Sequence, residues 1–177
     1  MIPFYQYAHH PEDQICEWID GEIDVLPPLS EAELRVRDIL LDELGWFIDG
    51  NEMGLLMRAP FAIRMPEEMQ RGREPDLLYI PSEYGDALQE NYVNSHGVGL
   101  VIEIGDQRTL HRDRHEKLID YQMAGIPEYW IIDTDHRQIE YFVLSQNGYQ
   151  PALPDADGLY HSRLLRGFVF DPKSVWA

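Results

Sequence analysis

Val98-Gly99-Leu100-Val101-Ile102-Glu103-Ile104 decides how this chain is to be folded. A continuous apolar run of this length reads as a strand buried on both faces in the middle of a sheet. One residue breaks it. A carboxylate among β-branched and leucine side chains is rarely buried without a partner or a chemical duty, so Glu103 marks a candidate site as well as a strand. Upstream, Pro75-Asp76-Leu77-Leu78-Tyr79-Ile80 is a shorter strand, Leu77–Ile80, entered through a second acid, Asp76. Downstream, Thr109–Ala124 reads as a long helix closed by Gly125 and Pro127. Leu110, Leu118 and Tyr121 share one side of it, and Lys117 stands fourteen residues after Glu103. Tyr129–Asp133 and Gln138–Leu144 then form a hairpin. Two acids and one amine at the mouth of a sheet are what a metal-dependent phosphodiester hydrolase needs.

The remaining segments fit around this centre. Ile15–Ile19 and Glu22–Leu26 flank Asp20-Gly21, a two-residue hairpin turn signal. Pro27-Pro28 breaks the chain, and Ser30 with Glu33 forms a capping box for a helix over Glu31–Leu44. Leu34, Ile39, Leu41 and Leu44 form its apolar face, and Gly45 is expected to end it. Trp46–Ile48, Gly54–Met57 and Phe61–Arg64 read as strand material. Residues 66–74 read as a polar loop, and 81–97 as a polar connection with room for a short helix. A last strand pair is expected near Tyr160–Leu165 and Gly167–Phe170. This order gives an α/β (α+β) fold, a mixed β-sheet flanked by helices with an N-terminal β-hairpin, in a single domain over residues 1–177.

Composition sets limits. The chain of 177 residues is 44% hydrophobic and 26% charged, in the globular range. No apolar stretch approaches the ~20 residues of a membrane span, which argues against a membrane partner. The N-terminus lacks the order of a secretory signal, and Cys16 is the only cysteine. Together these suggest a reducing cytoplasm. The formal net charge is −18, which opposes unaided binding of a polyanion. Eight of the fourteen Lys and Arg, however, fall in two windows around the candidate site. Arg58, Arg64, Arg71 and Arg73 precede Asp76; Arg108, Arg112, Arg114 and Lys117 follow Glu103. They form either a local positive rim or a set of arginines paired with the abundant acids.

Several stretches taken in order resemble one family. They are Ile19-Asp20-Gly21-Glu22, Pro75-Asp76, the apolar-Glu103-apolar strand and Arg112-Asp113-Arg114-x-Glu116-Lys117-Leu118. The block Tyr121-x-x-Ala124-Gly125-Ile126-Pro127-Glu128-Tyr129-Trp130-Ile131-Ile132-Asp133 follows. Over residues 15 to 170 the chain resembles the PD-(D/E)xK nuclease superfamily, and within it the bacterial family described as putative restriction endonucleases, long carried as a domain of unknown function. The resemblance implies a restriction-endonuclease-like core and a DNA endonuclease activity dependent on Mg²⁺ or Mn²⁺. It makes Asp76 the acid of the Pro-Asp motif and Glu103 the first acid of the (D/E)xK element. The superfamily lysine would stand two residues after Glu103, where this chain has Gly105; the amine is then supplied from the following helix by Lys117. Gly105-Asp106-Gln107 replaces the family's Leu-Ser-Pro-like turn, and Glu31 stands where relatives tend to carry a histidine.

On that reading the metal ligands are Asp76, Glu103 and the carbonyl of Ile104, with Glu31 a further acid on the far side. Two carboxylates ~4 Å apart repel by roughly 4 kcal/mol at an effective dielectric of 20, which a divalent cation relieves. All-oxygen ligation suits Mg²⁺ or Mn²⁺. Lys117 would orient or deprotonate the attacking water, or stabilise the transition state. Nucleic acid, in the first place DNA, is the expected partner. A homodimer would present two sites to two strands, although no residue dictates one. The alternatives are an RNA- or structured-DNA-specific nuclease, and a binding or regulatory module that keeps the fold without the activity. Taken singly, Asp76 could cap a strand, Glu103 could pair with an arginine, and Lys117 could form a surface ion pair with Asp113. His111 and His115 lack the glutamate and third ligand of a zinc motif and read as surface residues. Tyr129 and Trp130 read as core.

Overall fold

A computed structural model describes residues 1–10 and 14–176. In chain order the main elements begin with helix α1 (Phe4–Ala8), strands β1 (Cys16–Ile19) and β2 (Glu22–Val25), and helix α2 (Glu31–Gly50). Strands β3 (Gly54–Arg58), β4 (Ala62–Arg64), β5 (Arg71–Arg73), β6 (Leu77–Pro81), β7 (Tyr92–Asn94) and β8 (Leu100–Gly105) follow. Helix α3 is continuous from Leu110–Arg112 through a π turn at Asp113–Lys117 to Leu118–Met123. After it come β9 (Glu128–Asp133), β10 (Gln138–Ser145), β11 (Gly148–Ala152), β12 (Tyr160–His161) and β13 (Val169–Phe170).

Six strands form one mixed sheet in the order β11-β10-β9-β8-β6-β3, with β8 near its middle, parallel to β9 and antiparallel to β6. Side chains alternate across it with period two. Leu77, Tyr79, Leu100, Ile102, Trp130 and Ile132 face α2, where Val36, Leu40, Leu44 and Ile48 pack on them. Leu78, Ile80, Val101, Tyr129 and Ile131 face the opposite way, onto Leu110 and Tyr121 of α3. Tyr129 and Trp130 are therefore core, as expected. The sheet flanked by helices is the architecture read from the sequence. Glu103, two residues after Val101, belongs to the α3 face, and that places it under Lys117.

Of a second sheet, order β2-β1-β5-β4-β7, the hairpin β1–β2 and strand β4, read as Phe61–Arg64, were legible. Its third strand, β5, lies inside the segment expected to be loop. Arg71-Gly72-Arg73 carries no strand pattern, and Gly72 is needed because a Cβ there would stand 2.7 Å from the Tyr7 ring and 2.8 Å from that of Phe4. Tertiary packing, rather than propensity, makes this a strand. The chain then leaves the second sheet at Arg73, crosses Glu74-Pro75-Asp76 and enters the first at Leu77. The Pro-Asp motif is thus the crossing between the two sheets.

Two further expectations are corrected. Helix α2 does not stop at Gly45 but runs on to Gly50, so Trp46–Ile48 is helix rather than strand. Its buried ridge is Val36, Leu40, Leu44 and Ile48, at intervals of four; Leu34, Ile39 and Leu41 are only partly buried. One interior glycine costs ~1 kcal/mol, less than burying the Ile48 side chain returns. The capping box at Ser30 and Glu33 is present as read: the Ser30 hydroxyl accepts from the Glu33 amide at 3.3 Å, and the Glu33 carboxylate accepts from the Ser30 amide at 2.5 Å. No described helix is long and apolar enough to cross a membrane.

Candidate active site

Leu77 lies opposite Ile102 and Leu78 opposite Val101. Carried one step further, the same register sets Asp76 opposite Glu103, on the face that looks at α3. Cross-strand neighbours of this kind have Cβ atoms ~5 Å apart. The Asp76 carboxylate is tied to the β8 backbone by a hydrogen bond it accepts from the Ile104 amide at 2.7 Å. Lys117 descends from α3 and places Nζ 2.8 Å from the Glu103 carboxylate, which also accepts from the Tyr121 hydroxyl at 2.5 Å. Asp76, Glu103 and Lys117 are brought together as expected, each at most 5% exposed.

The helix delivers more than its lysine. Asp113, Lys117 and Tyr121 lie at intervals of four, and the π turn between the first two widens the helix where they face the sheet. Such turns occur frequently at functional sites. Asp113 touches Nζ at 3.1 Å, so the (i, i+4) pair exists, but it is buried rather than a surface pair. Glu17 of β1 touches Nζ at 3.2 Å. The ammonium therefore sits among three carboxylates from three elements.

Burial and charge explain the protonation states. Burial raises the Asp76 carboxyl to about 7, against the opposing pull of the Ile104 amide and the Lys117 ammonium. Burial likewise raises Glu103 to about 8; Lys117 opposes it, while Asp113 and Asp76 add to it. Burial alone would depress Lys117, but Glu103, Asp113 and Glu17 hold it well above the ordinary lysine value. Glu17 is the exception among the acids. Burial pushes it up, yet Lys117, Arg73 and Arg112 together bring it below the usual glutamate value.

Glu33, Asp76, Glu103, Asp113, Lys117, Arg108 and Thr109 line a pocket of about 30 Å³, walled elsewhere by Ile15, Leu26, Pro27 and Leu29. That volume holds a water or a bare ion and little more. The further acid placed at Glu31 is corrected: Glu31 is exposed, and Glu33 two residues on is the helix residue that faces the pocket, where it also accepts from Arg108 at 3.1 Å. Counting Glu74, five carboxyl groups and two cations line this pocket, a set of oxygen donors that an oxygen-seeking divalent cation fits in competition with protons. Among the described residues no three Asp, Glu, His or Cys side chains form a ready-made cage. A hard cation would therefore rest on Asp76 and Glu103 with water or substrate oxygens, the usual pattern for Mg²⁺.

Gly105 explains why the lysine is where it is. A Cβ on Gly105 would stand 2.4 Å from the Thr109 hydroxyl and 3.0 Å from the Asp113 carboxylate. The space a side chain would need there is filled by the start of α3, and the same helix supplies the amine. The choice left open between a positive rim and paired arginines falls to pairing. Of the eight residues, Arg71, Arg73, Arg108, Arg112, Arg114 and Lys117 are all ion-paired with carboxylates of the same chain. His111 and His115 are stacked on each other at 4.3 Å on the exposed side of α3, away from the carboxylates.

The family model described as "Uma2: Putative restriction endonuclease" matches residues 3–173. The chain belongs to the Uma2 family. A crystal structure of a putative nuclease of DUF820 from Anabaena variabilis ATCC 29413 superposes with a TM-score of 0.76 at 12% identity, covering 99% of this chain and 98% of that one. It shows that the Uma2 chain shares the fold of that protein. No curated protein matches.

Sequence reading missed Glu17, Asp113, Tyr121 and Arg73 as parts of this Uma2 site. Glu17 and Arg73 face each other across β1 and β5, in the register that pairs Trp18 with Gly72. Arg73 donates to Glu17 and, at 2.5 Å, to Asp120 of α3. Asp113 carried a signal, since its four-residue offset from Lys117 was visible, but nothing local showed that the pair was buried. Tyr121 was placed on the correct side of α3, without its bond to Glu103.

Proposed function

We propose that the protein is a Mg²⁺- or Mn²⁺-dependent endonuclease that hydrolyses phosphodiester bonds, with DNA as its first substrate class and Asp76, Glu103 and Lys117 as its catalytic groups. The observation that carries the reading is the convergence of these three buried side chains, from the crossing that enters β6, from β8 and from α3, on one ion-sized pocket. Membership of a family described as restriction endonucleases supports the reaction class. One family model extending over residues 3–173 supports treating the chain as a single unit. Asp76, Glu103 and the Ile104 carbonyl would hold the cation. When bound, it lowers the pKa of water and offsets charge developing on phosphorus.

The chain's own residues have separable tasks. The Ile104 amide fixes the Asp76 carboxylate, and Tyr121 fixes that of Glu103. Lys117 is held as an ammonium, so it donates hydrogen bonds rather than accepting a proton. This favours a role in orienting the attacking water and stabilising negative charge on the phosphoryl oxygens over a role as general base. Leu26, Pro27 and Leu29 limit access of bulk water to the pocket.

The test is cleavage of plasmid and oligonucleotide DNA with Mg²⁺ or Mn²⁺ by wild type, Asp76→Ala and Lys117→Ala. Loss of one well-placed electrostatic group typically costs 10²–10³-fold in kcat, so both variants are expected to fall by about that factor or more. Cleavage that survives Asp76→Ala, or wild type inactive on every polynucleotide offered, overturns the proposal.

A further inference from the structure

We propose that Glu17, on the N-terminal hairpin, is the positioning residue that holds the Lys117 ammonium over Glu103. The proposal deepens the nuclease reading and rests on it. Glu17 is fully buried, in a strand that belongs to the other sheet. No packing need explains it, because an apolar residue would fill the space at lower cost than a desolvated carboxylate. Its partners are what mark it. One oxygen lies 3.2 Å from Lys117 Nζ, and the other accepts from Arg73 and, at 3.2 Å, from Arg112.

The three contacts divide the work. Arg73 is a fixed anchor: it is almost wholly buried, stands opposite Glu17 in the β1–β5 register, and is itself braced by Asp120 of α3. Because Arg73 takes the charge of Glu17 on one side, the carboxylate is pinned with its second oxygen aimed at the lysine. Asp113, by contrast, shares a helix with Lys117 and moves with it. Glu17 is the contact that refers the ammonium to the frame from which Asp76 emerges, since Arg73 lies three residues before Asp76. A lysine with four rotatable bonds would otherwise be held by Glu103 and Asp113 alone. The Glu17 oxygen that faces Nζ makes no directed hydrogen bond elsewhere, consistent with a charge contact that sets distance.

The experiment exploits the lysine count. The chain has two lysines, Lys117 buried and Lys173 on the Pro172–Trp176 turn. The ¹H–¹⁵N spectrum of lysine ammonium groups in metal-free protein should therefore contain a slowly exchanging signal from Lys117 only. In Glu17→Gln that signal is expected to shift or broaden away, while Mg²⁺ uptake measured by calorimetry stays within about threefold of wild type. Cleavage is expected to lose about 100-fold in kcat with KM little changed, the penalty of an ångström-scale misplacement. Glu17→Asp keeps the charge against Arg73 and is expected to regain part of the loss; it also serves where the glutamine variant fails to fold. An unmoved Lys117 signal in either folded variant overturns the proposal, as does loss of Mg²⁺ uptake, which would make Glu17 a ligand. A wild type that cuts nothing overturns the nuclease reading alone, because the ammonium spectrum still decides whether Glu17 holds Lys117.

Discussion

The metal-free protein should lose stability as the pH rises from about 5.5 to 8, and Asp76→Asn should remove much of that loss. A carboxylate whose pKa is higher in the folded state than in the unfolded state binds more protons when folded. Its contribution is complete below the unfolded value and disappears as pH passes through the folded value. Asp76 moves from 3.8 to about 7 and Glu103 from 4.5 to about 8, so both titrate in this window. Taken separately, the shifts remove ~2 kcal/mol and ~3 kcal/mol between pH 5.5 and 8, at about 1.4 kcal/mol per pKa unit. They are not independent, because the Asp76 charge is one of the causes that raise Glu103. A combined loss of ~3 kcal/mol is the reasonable expectation for a coupled pair. Glu74, raised to about 7 by burial, adds to the wild-type slope but not to the difference between wild type and Asp76→Asn. The assay is urea unfolding in chelator across the window for both proteins. In Asp76→Asn the decline should shrink by ~2 kcal/mol, and more if Glu103 is relieved as well. Adding Mg²⁺ should stabilise wild type more at pH 8 than at 5.5, since a cation competes with protons for the same oxygens. Equal slopes in the two proteins, or stability that is level or rising with pH in wild type, refute the claim that these carboxylates are buried together.

Gly105→Ala should lower stability by ~1–3 kcal/mol in thermal unfolding, because the new Cβ meets the Thr109 hydroxyl at 2.4 Å and the start of α3 must shift. For the same reason Gly105→Lys, which puts a lysine two residues after Glu103, should not rescue cleavage in a Lys117→Ala background. Gly45→Ala should stabilise by ~0.5–1 kcal/mol, as the site is mid-helix with nothing within 4 Å of the new methyl group.

The central sheet was legible because its strands carry their own signal. Val101, Ile102 and Ile104 around Glu103 report burial on both faces, and Gly125 and Pro127 mark the end of α3. The acids of the candidate site were legible for a related reason: a charge in an apolar strand is a local anomaly. Glu17 is not anomalous in Cys16-Glu17-Trp18-Ile19, where alternation would assign it to solvent. Only the pairing of β1 with β5, 56 positions apart for Glu17 and Arg73, buries it, and such pairings leave no mark in either segment. The arginines were left undecided for the converse reason. Clustering in sequence near Asp76 and Glu103 fits an exposed positive rim or a set of ion pairs equally, and each paired guanidinium finds an acid brought in by the fold, such as Asp24 for Arg112 and Glu140 for Arg114. With 32 acids to 14 bases, a carboxylate is seldom far from an arginine in this chain.

The crossing at Glu74-Pro75-Asp76 connects these observations. Pro75 has no amide hydrogen to give to either sheet and favours an extended residue before it, which suits a segment passing between two ladders. On the near side of the crossing Arg73 is bonded to Glu17; on the far side Asp76 is bonded to the backbone of β8. Any tilt of one sheet against the other would therefore move Asp76 and the Glu17 carboxylate in a correlated way relative to α3. Asp120 resists that tilt by tying Arg73 to α3 at 2.5 Å. The N-terminal hairpin is thus part of the wall and bracing of the candidate site, and a relative that lost it would keep Asp76, Glu103 and Lys117 in its sequence while losing the contact that refers one to the others.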